Sequence, residues 1–161
     1  MCCRLPAIPQ MLRGWVNYFA VGNSGDSKSL PVLCRHCEPG RGCMIYEARP
    51  PVCRQYVCAW LDGRLPASWR PLDSGLVVSF HRAPKDTIAR CEIFVDPADP
   101  DRWKRELWHE RIRTLAHAGQ RSGKFRVCVT AGRHRWLVMP DRGIEQSAAA
   151  WPITFRADPA T

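Results

Sequence analysis

The sequence lacks a long apolar run and a secretory signal. No segment approaches the ~20 apolar residues that a membrane-spanning helix needs. The chain begins Met-Cys-Cys-Arg, and Pro6, Pro9 and Arg13 interrupt the stretch that follows, so the apolar core of a signal peptide is missing. We therefore expect a cytoplasmic protein that does not enter a membrane.

The sequence also lacks the signatures of common enzyme classes. Gly40-Arg41-Gly42 has the form of a short turn, not of a glycine-rich cradle for nucleotide phosphates. No Ser-His-Asp order predicts a nucleophilic enzyme, and Glu106 and Glu110 look like ordinary solvated helix positions. The sequence therefore leaves any catalytic residues unknown, and whether the protein is an enzyme stays open.

Cysteine, by contrast, is abundant, with nine in 161 residues. Five of them fall within 25 residues in the pattern Cys-x2-Cys-x5-Cys-x9-Cys-x4-Cys. In a reducing compartment, such a cluster indicates metal binding more than disulfides. Soft thiolates select either a tetrahedral zinc or an iron–sulfur cluster over hard cations. The predicted metal ligands are Cys34, Cys37, Cys43, Cys53 and Cys58.

A short helix is predicted inside this cluster, over Val52–Leu61. Pro50-Pro51 can open it and Gly63 can end it. On a regular helix, Cys53 and Cys58 would lie ~140° apart around the axis. Both thiols can therefore bind one metal only if the helix is short or distorted near Cys58.

The remainder of the chain predicts an α+β fold, in which a small metal-stabilised cysteine-rich lobe packs on a compact sheet with one long helix. The helix is expected from Asp99-Pro100 to about Ala118, closed by Gly119. Its apolar stripe is Trp103, Leu107, Trp108, Ile112, Leu115 and Ala116. We expect the tryptophans of this part to pack in the core and at its rim.

Alternating apolar residues predict the strands of this sheet. A hairpin is expected around Ala131-Gly132. Cys91 and Cys128 lie in predicted strands, where we expect them to be buried packing residues and not ligands. The predicted strands are Gly75–Phe80, Glu92–Val95, Phe125–Thr130 and Arg135–Met139, with a further edge strand over Pro152–Phe155.

The cysteine segment resembles a known family. The residues that carry the likeness are Gly42-Cys43, Tyr46, Arg49-Pro50 followed by Cys53, and Cys58-x-Trp60. They are similar to the core of the zinc- or iron-chelating cysteine-cluster (CxxCxxCC, YkgJ-type) family. The resemblance implies a metal-chelating protein, and some relatives are associated with lysine methylation of flagellin or are called iron–sulfur oxidoreductases. Family members carry a further cysteine group upstream, and Cys2-Cys3 resembles its end.

A second resemblance covers residues 12–24, Leu-Arg-Gly-Trp-Val-Asn-Tyr-Phe-Ala-Val-Gly-Asn-Ser. This segment is similar to the signature of the group II intron maturase-specific domain, which implies RNA binding. The formal charge of +9 permits an RNA partner. However, 20 of the 24 basic residues are arginines scattered along the chain, which is more typical of solvated arginines than of a basic arm.

Three regions and three functional hypotheses follow. Residues 1–33 form a shortened N-terminal segment with the maturase-like insert, residues 34–63 the cysteine-cluster region, and residues 64–161 the α+β remainder. The leading hypothesis is a zinc or iron–sulfur protein. The alternatives are an RNA-binding remnant of an intron maturase and an iron–sulfur-dependent enzyme for redox chemistry or protein lysine methylation.

Overall fold

The computed structural model of the protein describes most of the chain between His36 and Gln146. The described residues are 36–38, 41–81, 89–132, 134–141 and 143–146. The predictions for residues 1–33, for Cys34 and for an edge strand over Pro152–Phe155 lie outside them. Among the described residues, no helix has both the length and the apolar composition required to cross a membrane.

Short strands and helices come first in the described part of the chain, and a sheet with one long helix follows. In chain order they are β1 Cys37–Glu38, β2 Gly42–Cys43, α1 Pro51–Gln55, α2 Pro71–Ser74, β3 Leu76–His81, β4 Ala89–Val95, α3 Glu106–Ser122, β5 Phe125–Ala131, β6 His134–Met139 and β7 Gly143–Gln146. Single 3-10 turns precede α2 and α3.

A mixed sheet forms the centre of this structure. Within the described residues, five strands lie in the order β3-β4-β5-β6-β7. All neighbours are antiparallel except β4 and β5, which are parallel. A parallel pair needs a long crossover, and α3 provides it. The predicted α+β class and the hairpin between β5 and β6 are therefore confirmed, with Gly132 at a positive φ of 60° in the turn.

The four predicted strands within this region are confirmed to within a few residues. β7 was not predicted. It has four residues with the sequence Gly-Ile-Glu-Gln, so it is too short to show the alternation of a half-buried strand. It joins the sheet because β6 offers it an unpaired edge.

One face of the sheet packs against α3 and forms the main core. Alternate strand residues such as Ile93, Val127 and Val129 are buried against Trp108 and Ile112 of the helix. Burying each large apolar side chain stabilises the fold by roughly 1.5–3 kcal/mol. The tryptophans complete this core, as expected: the rings of Trp69 and Trp108 meet edge to face at 5.3 Å, and those of Trp103 and Trp136 at 4.9 Å.

The long helix differs from its prediction at both ends. It begins at Glu106 because Arg105 is extended, and Trp103 lies in the preceding 3-10 turn. It ends at Ser122, where Gly123 adopts the left-handed conformation, so Gly119 is an interior helix residue. Leu107 is 57% exposed and does not belong to the buried stripe, which is Trp108, Ile112, Ala116 and Gly119.

The predicted helix over Val52–Leu61 is too long. α1 ends at Gln55, and Tyr56 is extended with φ −74° and ψ 114°. The chain leaves the helix because it then follows the edge of β3, where the Ala59 amide donates to the Val78 carbonyl at 2.8 Å. Cys58 consequently lies beyond the helix, which removes the 140° separation expected from a regular helix.

Replacing Gly119 by alanine is expected to lower the free energy of unfolding by about 1–3 kcal/mol, the usual cost of overpacking. A Cβ at this position would press on the Phe125 carbonyl oxygen and lie 2.8 Å from two of its ring carbons. Helix propensity acts in the opposite direction, since alanine is favoured over glycine by about 1 kcal/mol. Denaturant unfolding measures the difference, and unchanged or increased stability would contradict a tight contact between α3 and β5.

The matched control is Gly63→Ala. A Cβ at Gly63 meets no atom within 4 Å, but the residue has a φ of 70°. This variant therefore reports only the cost of a positive φ, about 1–2 kcal/mol.

Candidate functional site

Two of the five predicted metal ligands lie opposite each other in the first hairpin. The antiparallel pair β1–β2 aligns Cys37 with Cys43. The hairpin is closed by the Arg41 amide, which donates to the Glu38 carbonyl at 3.1 Å, and by an Arg41–Glu38 ion pair at 3.2 Å. Directly opposed residues in an antiparallel pair have Cα atoms about 4.5–5.5 Å apart. The backbone register therefore brings these two cysteines together.

The fourth predicted ligand, Cys53, is half-buried in α1. Two arginines organise the chain between it and Cys43. Arg49 donates from Nε to the Tyr46 carbonyl at 2.6 Å, and its guanidinium lies 3.4 Å from the centre of the Tyr46 ring. Arg54 donates to the carbonyls of Arg49 at 2.8 Å and Glu47 at 2.9 Å. These bonds fix the loop that joins the two thiols.

The fifth predicted ligand, Cys58, has a different environment. Its side chain is fully buried and packs with Val77 and Phe94 on the sheet. Tyr56 borders this cluster, and its hydroxyl lies 2.6 Å from the Ser79 hydroxyl. The end of the cysteine segment is thus attached to the sheet face opposite α3.

The described part of the chain does not complete a metal site. Within it, no group of three or more His, Cys, Asp or Glu side chains is placed to hold an ion. Cys34 lies outside this part, and the set of five is therefore neither assembled nor excluded. The sequence also offers His36 and His81 as conceivable ligands. His36 precedes β1 and His81 ends β3 on the sheet, so the two histidines lie in different parts of the fold.

A polar cluster on the sheet was not predicted from the sequence. Glu92 in β4 is only 3% exposed. One oxygen of its carboxylate, Oε1, accepts hydrogen bonds from Thr130 Oγ1 at 2.9 Å and from Arg135 Nη2. The other, Oε2, lies 3.2 Å from Arg90 Nε and 3.6 Å from His81 Nε2. We call Glu92 and these four partners the Glu92 cluster.

Strand register explains how residues so distant in sequence meet. Glu92 is aligned with Ser79 on one side and with Cys128 on the other. Successive strand residues point to opposite faces. Because Cys91 and Ile93 belong to the core with α3, Glu92 lies on the opposite face, the one that also receives Tyr56. A charged residue within the apolar strand Ala89–Val95 was the available sequence signal.

The two cysteines of the sheet, Cys91 and Cys128, have thiols with a raised pKa. Burial raises the pKa of the Cys128 thiol, and the nearby Arg135 guanidinium opposes that rise. Burial also raises the pKa of Cys91. Both thiols are free and buried, which confirms the expectation that they are packing residues. Neither has the lowered pKa of a reactive cysteine.

Comparisons of this chain with protein-family models, with curated proteins and with solved structures find no match.

The imidazole of His81 is expected to make the protein less stable in mild acid. Burial lowers the pKa of His81 below its ordinary value of 6.5, and Arg90 adds to that effect while Glu92 opposes it. The unfolded chain then binds the proton more readily than the folded one. The contribution of neutral His81 to the free energy of unfolding is fully present above pH 6.5 and is lost as the pH falls below that value.

Unfolding free energies measured between about pH 8 and pH 5 test this expectation. The loss on acidification should be smaller in His81→Gln than in the wild type. His117→Gln is the control, because His117 lies on α3 and not on the face of the Glu92 cluster. The same loss in His81→Gln as in the wild type would contradict the assignment.

Proposed function

We propose that the protein binds zinc or an iron–sulfur cluster through its cysteine segment. The observation that carries this proposal is the alignment of Cys37 with Cys43 in the β1–β2 hairpin. Cys53, on the adjoining helix α1, is the next candidate ligand, and Cys34 and Cys58 complete the set of five. The resemblance of residues 34–61 to the metal-chelating cysteine-cluster family supports the same set.

The packing of the segment gives a physical reason for a metal. Several of its large apolar side chains are exposed: Met44 by 53%, Tyr46 by 56% and Val57 by 50%. Few apolar contacts are therefore available to offset the conformational entropy of ordering this loop-rich stretch. Metal binding supplies folding free energy directly to segments of this kind.

The donor chemistry of the segment also fits such a group. Thiolates are soft ligands that favour zinc and iron–sulfur iron. Four of them around a divalent ion leave an excess of negative charge. Arg41, Arg49 and Arg54 lie in the same segment and would offset that charge. A bound metal would here serve to cross-link the hairpin to α1.

Metal analysis of the purified chain tests the proposal. Protein made with iron available and oxygen excluded is expected to contain about one equivalent of zinc or of an iron–sulfur cluster. Visible absorption distinguishes the two, because zinc is colourless. Cys43→Ala is expected to lose the metal and to unfold at a lower temperature.

The control is Cys91→Ala, which removes a thiol from the core of the sheet. It is expected to retain the metal of the wild type. Less than about a tenth of an equivalent in the wild type, together with an unchanged melting temperature in Cys43→Ala, would refute the proposal.

Arg54 is expected to act as a positioning residue for this centre. Arg54→Ala removes two hydrogen bonds to the loop between Cys43 and Cys53 but no ligand. Loss of such supporting contacts typically reduces metal affinity by about 10–100-fold. We therefore expect weaker binding with unchanged stoichiometry in a competition titration with a chelator. Arg64→Ala, an exposed arginine that pairs with Asp62, is the control and should bind as the wild type does.

The alternatives stay predictions. The RNA-binding hypothesis depends on residues 12–24, which lie outside the described residues. The hypothesis of an iron–sulfur enzyme, whether for redox chemistry or for lysine methylation, requires the same metal centre, so the metal analysis precedes any assay of activity.

A further inference from the structure

The sheet face opposite α3 carries more positive than negative charge. Arg90 in β4 is aligned with Arg126 in the neighbouring parallel strand β5. Like charges directly opposite each other destabilise a sheet unless another group neutralises them. Among the described residues, Glu92 is the carboxylate that contacts this pair of arginines. It forms an ion pair with Arg90 and not with Arg126.

Arg135 adds a third guanidinium to the same face. It is aligned with Thr130 on β5 and reaches the other oxygen of the Glu92 carboxylate. The register places these residues near one another: Arg90 is aligned with Arg126, Glu92 with Cys128, and Arg135 with Thr130, which is two residues after Cys128 in β5. The three arginines outnumber the two glutamates that the strand register places on this face, Glu92 and Glu145.

The inner two guanidiniums retain donors that the described residues do not use. The Nε atom of Arg135 is buried and makes no hydrogen bond to a described residue, whereas Arg90 Nε forms an ion pair with Glu92 Oε2 at 3.2 Å. A guanidinium has five N–H donors in a fixed fork, and a buried donor normally has a partner. The Glu92 carboxylate orients both guanidiniums, and their remaining N–H donors can bind a ligand.

The three arginines differ in how far they are exposed to solvent. The side chains of Arg90 and Arg135 are 15% and 16% exposed, whereas Arg126 is an exposed residue. Arg126 therefore stands at the solvent side, next to two guanidiniums held in place by Glu92. This arrangement suits an oxyanion that enters from solvent and contacts more than one fork.

We propose that Arg90, Arg126 and Arg135 bind a phosphate group on the sheet face opposite α3. A phosphate group is negatively charged, and its tetrahedral oxygens can accept from several guanidiniums at once. Glu92 is a positioning residue that holds the two inner arginines. The site is independent of the proposed metal centre, because no cysteine of the segment takes part in it.

Titration of the full chain with inorganic phosphate tests this site, at constant ionic strength set with chloride. Calorimetry is expected to give saturable binding to the wild type. Arg126→Gln should weaken binding about tenfold or more, since one charged hydrogen-bonding partner is lost. Arg126 forms no hydrogen bond or ion pair with a described residue, so this variant should fold normally, which circular dichroism verifies.

The matched control is Arg121→Gln, which removes the same charge from an exposed position on α3. It is expected to bind phosphate as the wild type does. Absence of saturable binding to the wild type, or an equal loss in both variants, would overturn the proposal, because the effect would then be one of diffuse charge.

A second arm identifies the source of the phosphate. A single-stranded RNA oligonucleotide that displaces phosphate from the wild type, and loses affinity in Arg126→Gln alone, would point to a nucleic-acid backbone. An oligonucleotide that does not displace phosphate would point to a small phosphorylated molecule. Both results support the site and differ only in the ligand that fills it.

Discussion

The parallel pairing of β4 with β5 is the constraint on which the rest of the described structure depends. Parallel neighbours require the chain to return across the sheet, and α3 makes that crossing over one face only. That face becomes the apolar core. The opposite face does not pack against α3, so the same strands carry arginine, glutamate and threonine there. Ile93 and Glu92, adjacent in sequence, belong to these two different environments.

Local patterns in the sequence were sufficient for most of the sheet and for the helix interior. Trp108, Ile112 and Ala116 follow the helical period and are buried as predicted. The errors arise where tertiary packing outweighs local preference. Gly119 looked like a helix terminus, yet its missing side chain permits close contact with Phe125. Gly63 suggested a helix as far as Leu61, but the chain is extended at Tyr56, and the Ala59 amide donates to the Val78 carbonyl of β3.

The candidate site divides in the same way. The spacing of Cys37 and Cys43 is local, and the hairpin that aligns them follows from the short turn between them. The Glu92 cluster joins side chains from four strands, and Glu92 and Arg135 are 43 residues apart along the chain. Its composition becomes visible only once the order and register of those strands are known. Sequence reasoning therefore identified the segment of spaced cysteines and missed the cluster that the strand order assembles.

The two candidate sites are connected through the end of the cysteine segment. Cys58 packs on Val77 and Phe94, and the Tyr56 hydroxyl meets Ser79, which is aligned with Glu92. This attachment holds the segment to the sheet at one end. Among the described residues, the hairpin at its other end is held by its backbone hydrogen bonds and by the exposed Arg41–Glu38 ion pair. It is therefore the part whose order would depend most on a bound metal.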